Sequence, residues 1–129
     1  MIRGIIVGHS EFAKAMVNTA EQIVGKQPDL EIISNKGVSC EVLSEKIAKI
    51  IHSNENQETI VFVDLPGGSC TISCYGLLKD NSELNIIVGV NLPMLIEFFM
   101  LRDKHSVNEL VPILIDKGRD NIFKLRCKK

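Results

Sequence analysis

The sequence predicts an α/β fold: a single domain over residues 1–129, with a doubly wound, mostly parallel sheet and helices on both faces. Short, continuously apolar segments alternate with segments whose apolar residues recur at helical spacing, and the connections are short. Continuously apolar strands are typical of parallel sheets, which are buried on both faces. A chain of 129 residues, 45% of them hydrophobic, can bury such a core without a disulfide or a metal ion.

Four segments are predicted to be buried strands because each is a short apolar run that ends at a turn signal. They are residues 2–7, 30–33, 59–64 and 85–90. The third is the strongest, since it is apolar until its final aspartate. Residues 122–126 alternate apolar and charged side chains, which predicts an edge strand that pairs antiparallel or with a second subunit.

Five helices are predicted from helical spacing and capping residues. They cover residues 11–25, a segment capped by Ser39, a segment from the turn at 66–69 to about residue 79, residues 94–102, and residues 106–117. Ser10 is expected to cap the first helix, whose apolar face would contain Phe12, Met16, Ala20 and Ile23. Gly118 is expected to end the last helix. The fourth is apolar on nearly every side, which fits a partner or dimer surface as well as a core helix.

Composition excludes several classes of function. A net charge of −1, no Trp and one Tyr argue against nucleic acid or an anionic membrane surface as partners. The apolar runs are too short to span a bilayer, and the N-terminus lacks a signal-peptide layout. Four scattered cysteines suit a reducing compartment. We therefore expect a cytoplasmic protein that needs neither a metal nor a cofactor.

Three polar residues follow predicted strands and are expected at one edge of the sheet. They are His9, Asp64 and Asn91. Right-handed crossovers bring the carboxyl ends of parallel strands to the same edge, where ligands bind in open α/β sheets. If the first and third strands are neighbours, His9 and Asp64 face each other.

A carboxylate that accepts a hydrogen bond from one imidazole nitrogen leaves the other nitrogen free as a nucleophile. Gly67, Gly68 and Ser69 open a helix, so their N–H groups can bind an anion beside that nitrogen. This combination of His9, Asp64 and the turn predicts group transfer, with a phosphoryl group favoured. Each part also has an ordinary explanation: a capping or solvated histidine, a helix-capping aspartate, and a turn that binds nothing. The turn is not a Walker loop, because the spacing and the lysine are missing.

Three motifs, in order and with matching spacing, resemble the IIA component of the mannose-family sugar phosphotransferase system. The motifs are IIVGHS at residues 5–10, VDLPGGS at 63–69 and GVNLPML at 89–95. The resemblance covers nearly the whole chain. It implies that His9 accepts a phosphoryl group from phospho-HPr and passes it to a IIB partner, which phosphorylates sugar entering through membrane IIC and IID proteins.

The same resemblance implies that Asp64 orients the imidazole, and that the amides of Gly68 and Ser69, with the Ser69 hydroxyl, hold the phosphoryl oxygens. It also implies a homodimer in which residues 122–126 are exchanged between subunits. Pro66 and Cys70 depart from the pattern, because many members carry an aromatic residue and a proline there. These departures concern the choice of partner or sugar, and the chain reads as a stand-alone IIA component.

Other functions stay open at this stage. Cys70 with His9 and Asp64 would form a thiol-based site in which the helix N-terminus lowers the pKa of the thiol. A metal site formed by His9, Cys70 and Cys74 lacks paired ligand spacing. The remaining alternatives are a phosphocarrier subunit of dihydroxyacetone kinase and a regulatory module that is phosphorylated without passing the group on.

Overall fold

The computed structural model describes residues 1–127. Within this range the chain forms four strands and five helices that alternate before ending in two consecutive helices. The strands are β1 (Arg3–Gly8), β2 (Leu30–Ser34), β3 (Thr59–Val63) and β4 (Asn85–Val88). The helices are α1 (Phe12–Val24), α2 (Cys40–Ser53), α3 (Ser69–Asp80), α4 (Leu92–Leu101) and α5 (Val107–Asp120). The predicted α/β class is confirmed.

All four strands are parallel and lie in the order β2-β1-β3-β4. The first and third strands are therefore neighbours, and Val7 lies opposite Val63 in the register between them. Since His9 and Asp64 follow these positions by two residues and one residue, both emerge at the carboxyl edge of the sheet's centre. Strand order, not proximity in the chain, brings together two residues 55 positions apart.

Helices cover both faces of the sheet, as predicted. Successive strand side chains point to opposite faces, so Ile6 and Phe62 pack under α1, α4 and α5, while Val7 and Val61 pack under α2 and α3. The apolar α4 belongs to the first of these cores. Its Phe98 is fully buried and meets Phe62 edge to face, with 5.0 Å between the ring centroids. The core interpretation of α4 is therefore the correct one.

The prediction for α1 was wrong in two respects. Ser10 does not cap the helix: it adopts a left-handed backbone (φ 53°), and Glu11 occupies the N-cap position. The buried face consists of Ala13, Val17 and Ala20; of the four predicted residues, Ala20 is buried, Met16 is half-buried against the core, and Phe12 and Ile23 are exposed. The helical spacing was right, but the face is rotated by about one residue, because small side chains allow α1 to lie close to the sheet.

Gly118 does not end α5, which continues to Asp120. A Cβ atom at this position would lie 2.8 Å from the Cε atom of Met94, so the glycine permits close packing of α5 on α4. The Gly118 carbonyl also accepts a hydrogen bond from the side-chain amide of Asn91 at 2.9 Å. A residue that resembled a helix stop is a packing contact.

The C-terminal segment was predicted as an edge strand, and in the single chain this is wrong. Residues 122–127 lie outside any helix or strand, and Ile122, Phe123 and Leu125 are each more than 70% exposed. The segment finds no strand partner among residues 1–127. None of the helices in that range is both long and apolar enough to cross a membrane.

Candidate phosphoryl-transfer site

The site centres on His9 and Asp64. The Asp64 carboxylate is almost fully buried, and its Oδ2 atom accepts the backbone N–H of His9 at 2.8 Å and lies 2.7 Å from the imidazole Nδ1. Its Oδ1 atom accepts the backbone N–H of Leu65 at 2.9 Å. Because three N–H groups hold this carboxylate, it is a rigid acceptor that orients the ring.

These contacts determine which imidazole nitrogen is free. A carboxylate can only accept, so Nδ1 carries a proton, and in the neutral imidazole of His9 the lone pair is then on Nε2. The histidine side chain is 37% exposed, whereas Asp64 is 5% exposed. The arrangement leaves a nucleophilic nitrogen on a half-exposed ring, with the orienting carboxylate buried.

Gly68 forms the surface against which the imidazole rests. A Cβ atom at this position would lie 2.8 Å from His9 Cε1 and 3.1 Å from Nε2, closer than van der Waals contact allows. Gly68 is also the N-cap of α3, so the unpaired N–H groups of that helix begin beside Nε2. The adjacent Gly67 adopts a left-handed backbone (φ 79°), which glycine favours.

Ser69, the first residue of α3, is connected through Asn35 to Ser10, the residue after the histidine. The Asn35 side-chain amide lies 2.9 Å from the Ser69 hydroxyl, and its carbonyl oxygen accepts the backbone N–H of Ser10 at 3.2 Å. The loops that follow β1, β2 and β3 are thereby joined around one imidazole. A ring nitrogen, a fixed carboxylate and a helix N-terminus together suit transfer of a phosphoryl group.

Comparison with known protein families identifies the family of this chain. The family model for the PTS (phosphotransferase system) fructose IIA component, of the mannose type, matches residues 4–115. The chain belongs to this IIA family. The resemblance noted in the sequence is confirmed.

Individual relatives differ in domain content and sugar. The mannose-specific EIIAB component of the PTS from Escherichia coli K12 is 32% identical over 132 residues, covering 99% of this chain. The fructose-specific EIIA component of Bacillus subtilis is 28% identical, over 86% of this chain and 77% of its own length. This IIA chain spans only 41% of the E. coli protein.

Solved structures agree on the fold. The crystal structure of a phosphotransferase EIIA component from Streptococcus agalactiae superposes with a TM-score of 0.85 at 27% identity, covering 96% of this chain and 97% of that one. A mannose/sorbose-specific IIA subunit from Enterococcus faecalis gives 0.86 at 23% identity, over 99% and 97%. The parallel sheet of the IIA chain is thus the architecture of this group.

Cys70 lies in the site but is not an activated thiol. Its Sγ atom is 3.8 Å from His9 Nδ1, and the residue is fully buried at the start of α3. Burial, helped by the Asp64 carboxylate, raises the pKa of Cys70 from 9.0 to about 11. This direction is the opposite of the one expected from a helix N-terminus, because burial disfavours the charged thiolate.

The three potential metal ligands that meet here are His9, Asp64 and Cys70, whose ligand atoms lie within 4.8 Å of one another. Cys74 is not among them, unlike in the set weighed from the sequence. Two ligands on a tetrahedral zinc ion are separated by about 3.3 Å, given bonds of about 2.0 Å. The 2.7 Å between Nδ1 and Oδ2 is instead a hydrogen-bond distance, so the geometry suits a shared proton better than a metal ion.

The structure brings most of the predicted site residues of the IIA chain together, but not all of them. His9, Asp64, Gly68 and Ser69 surround one point, and Gly67 shapes the turn. Asn91 shares the sheet edge but serves α4, whose Met94 N–H its side chain accepts at 3.2 Å. Asn35 was missed, because it reads as part of a polar turn. Its position directly after β2, the neighbour of β1, is the signal that would have found it.

Proposed function

We propose that this chain is a phosphocarrier that accepts a phosphoryl group on Nε2 of His9 and passes it to a second protein. The observation that carries the proposal is the 2.7 Å contact between Nδ1 and the buried Asp64 carboxylate, which leaves the Nε2 lone pair free beside the N-terminus of α3. Family membership supports the same role, since IIA components act in phosphoryl transfer.

The transfer step follows from this geometry. The Nε2 lone pair forms the N–P bond as the bond from phosphorus to the donor breaks, and the donor atom keeps that electron pair. The proton stays on Nδ1, so the phosphorylated ring becomes cationic and the Asp64 carboxylate stabilises it. Backbone N–H groups of Gly68 and Ser69 at the start of α3, with the Ser69 hydroxyl and the turn at Gly67, bind the phosphoryl oxygens.

Membership of the family supports a specific set of partners. Phosphorylated HPr is the donor and a IIB component is the acceptor, which phosphorylates sugar arriving through membrane IIC and IID proteins. These exchanges take place in the cytoplasm, and the IIA step itself uses no cofactor or metal. The exposed edge of the His9 ring fits a reaction in which two different proteins approach the same nitrogen in turn.

The proposal includes a homodimer formed through the C-terminal segment. β4 is at the edge of the sheet and pairs only with β3 among residues 1–127. A groove of about 320 Å³ beside it is lined by Ile86, Ile87 and Ile115, among others. An exchanged strand from residues 122–126 would cover this edge. Removing residues 122–129 is expected to halve the mass measured by analytical ultracentrifugation, and an unchanged mass would reject this mode of association.

The test of the function is transfer of label from [³²P]phosphoenolpyruvate through purified enzyme I and HPr. Wild type should gain an acid-labile, base-stable label, and His9→Ala should gain none. His52→Ala is the matched control, because His52 is exposed and its ring hydrogen-bonds to the exposed Glu55. Adding a IIB component should remove the label. If wild type stays unlabelled while HPr is phosphorylated, the proposal fails, and label that never leaves would indicate a regulatory role instead.

A further inference from the structure

The side chain of Asn35 bridges the residue after the histidine and the first residue of α3. Its Oδ1 atom accepts the backbone N–H of Ser10 at 3.2 Å, and its Nδ2 atom lies 2.9 Å from the Ser69 hydroxyl oxygen. A backbone N–H can only donate, so the oxygen of the amide must face Ser10. The orientation of the amide is thereby determined, and its NH₂ group must face Ser69.

This orientation determines what the Ser69 hydroxyl can do. A hydroxyl has one proton to donate and two lone pairs that accept. Because Asn35 Nδ2 donates to the oxygen, one lone pair of Ser69 is occupied and the proton is left for another acceptor. With a phosphoryl group on His9, the strong acceptors nearby are its anionic oxygens.

The residue that anchors the amide is itself held in an unusual conformation. Ser10 has a left-handed backbone (φ 53°), which is unfavourable for a residue with a side chain. The Ser34 hydroxyl donates to the Ser10 carbonyl at 2.7 Å, and Asn35 accepts its N–H. The N–H and the carbonyl of Ser10 are therefore both held, by the last residue of β2 and the residue after it, which gives the Asn35 amide a rigid reference.

We infer that Asn35 is a positioning residue for phosphoryl transfer, acting through Ser69. The Asn35 side-chain NH₂ donates a hydrogen bond to the Ser69 hydroxyl oxygen, so the Ser69 hydroxyl proton is left to be donated to the phosphoryl group on His9. This inference rests on the proposed function, because it needs a phosphoryl group on that histidine. It assigns a role to the loop after β2, which carries none of the site residues predicted from the sequence.

Two substitutions separate this role from a structural one. Asn35→Asp is nearly isosteric and keeps an oxygen for the Ser10 N–H, but its second oxygen can only accept. The Ser69 hydroxyl would then turn and donate to the aspartate, whose negative charge would also repel the phosphoryl group. Asn35→Ala removes both contacts but leaves the hydroxyl free to rotate. The inference therefore expects the aspartate variant to be the slower one, whereas a purely structural role expects the alanine variant to be worse.

The measurement is the single-turnover rate of labelling from phosphorylated HPr, with folding checked by circular dichroism. One lost hydrogen bond to a charged group corresponds to about 10- to 100-fold in rate. We expect about a 10-fold decrease for Asn35→Ala and about 100-fold for Asn35→Asp. Asn18→Asp, an exposed change of the same charge on α1, is the matched control and should label at the wild-type rate.

A double-mutant cycle with Ser69→Ala completes the test. If Asn35 acts through the hydroxyl, Asn35→Ala should slow the Ser69→Ala variant by less than about 2-fold, because coupled residues are not additive. Fully additive effects, or an alanine variant slower than the aspartate variant, would overturn the inference even though wild type is labelled. An unlabelled wild type would instead reject the proposed function, so the two failures are distinguishable.

Discussion

Replacing Gly68 by alanine should disable the site without damaging the fold. The new Cβ atom would lie 2.8 Å from His9 Cε1 and 3.1 Å from Nε2, whereas carbon atoms in contact are about 3.5–4.0 Å apart. The ring must therefore move by roughly 0.7 Å, and a hydrogen bond from Nδ1 to Asp64 that is now 2.7 Å long is stretched or tilted. Losing a hydrogen bond to a charged group costs about 1.5–3 kcal/mol, which is about 10- to 100-fold in the rate of labelling.

The assay is the single-turnover labelling of His9, with thermal unfolding followed in parallel. Gly76→Ala is the matched control in the same helix, because a Cβ atom there meets only the Ser44 hydroxyl at an ordinary 3.6 Å. That control should label normally and be more stable by about 0.5–1 kcal/mol, as expected for an exposed helical glycine. Normal labelling of Gly68→Ala would refute the argument that the imidazole must rest on a bare backbone.

Three further changes test other parts of the molecule. Asp64→Asn should slow labelling by at least about 10-fold. Three N–H groups now donate to two carboxylate oxygens, and an amide would offer them a single oxygen. Labelling of the variant at the wild-type rate would show that the aspartate has no part in the mechanism. Phe98→Ala should lower the free energy of unfolding by about 3–5 kcal/mol in urea titrations, since the ring is fully buried against Phe62, and a loss below 1 kcal/mol would contradict that packing. Cys70→Ala should still be labelled on the histidine. The pKa of Cys70 rises from 9.0 to about 11 on folding, so the unfolded thiol ionises first and the free energy of unfolding falls as the pH rises from 9 towards 11. Unfolding in denaturant at pH 7, 9 and 10.5 should therefore show a smaller loss of stability in the variant than in wild type. Equal losses would contradict the raised pKa of Cys70.

Much of the fold could be predicted because its signals are local. The strand β3 is recognisable as a continuous apolar run. Ser39 and Ser106 cap their helices by accepting hydrogen bonds from N–H groups three residues ahead. Gly25 ends α1 as expected, with its N–H donating to the Glu21 carbonyl. Such features depend on residues within one turn of each other, so the chain specifies them before any tertiary contact forms.

The errors all concern contacts between distant segments. Helical spacing identified α1 but not which face it buries, because Ala13 and Val17 are selected by the shape of the sheet beneath them. Gly118 resembles a helix stop in the sequence, but in the structure its missing side chain makes room for the side chain of Met94. The alternation in residues 122–126 is a real strand pattern, yet the single chain offers it no partner among residues 1–127.

The same division applies to the candidate site. The sequence by itself determined that His9 and Asp64 follow buried strands and that a glycine turn opens α3, because strand ends and helix starts depend on the local sequence. Only the tertiary structure decided that Nδ1 meets the carboxylate, that Gly68 must lack a side chain, and that Asn35 reaches Ser69. The His9–Asp64 and Asn35–Ser69 contacts join residues 55 and 34 positions apart, and their geometry depends on the order of the strands that carry them.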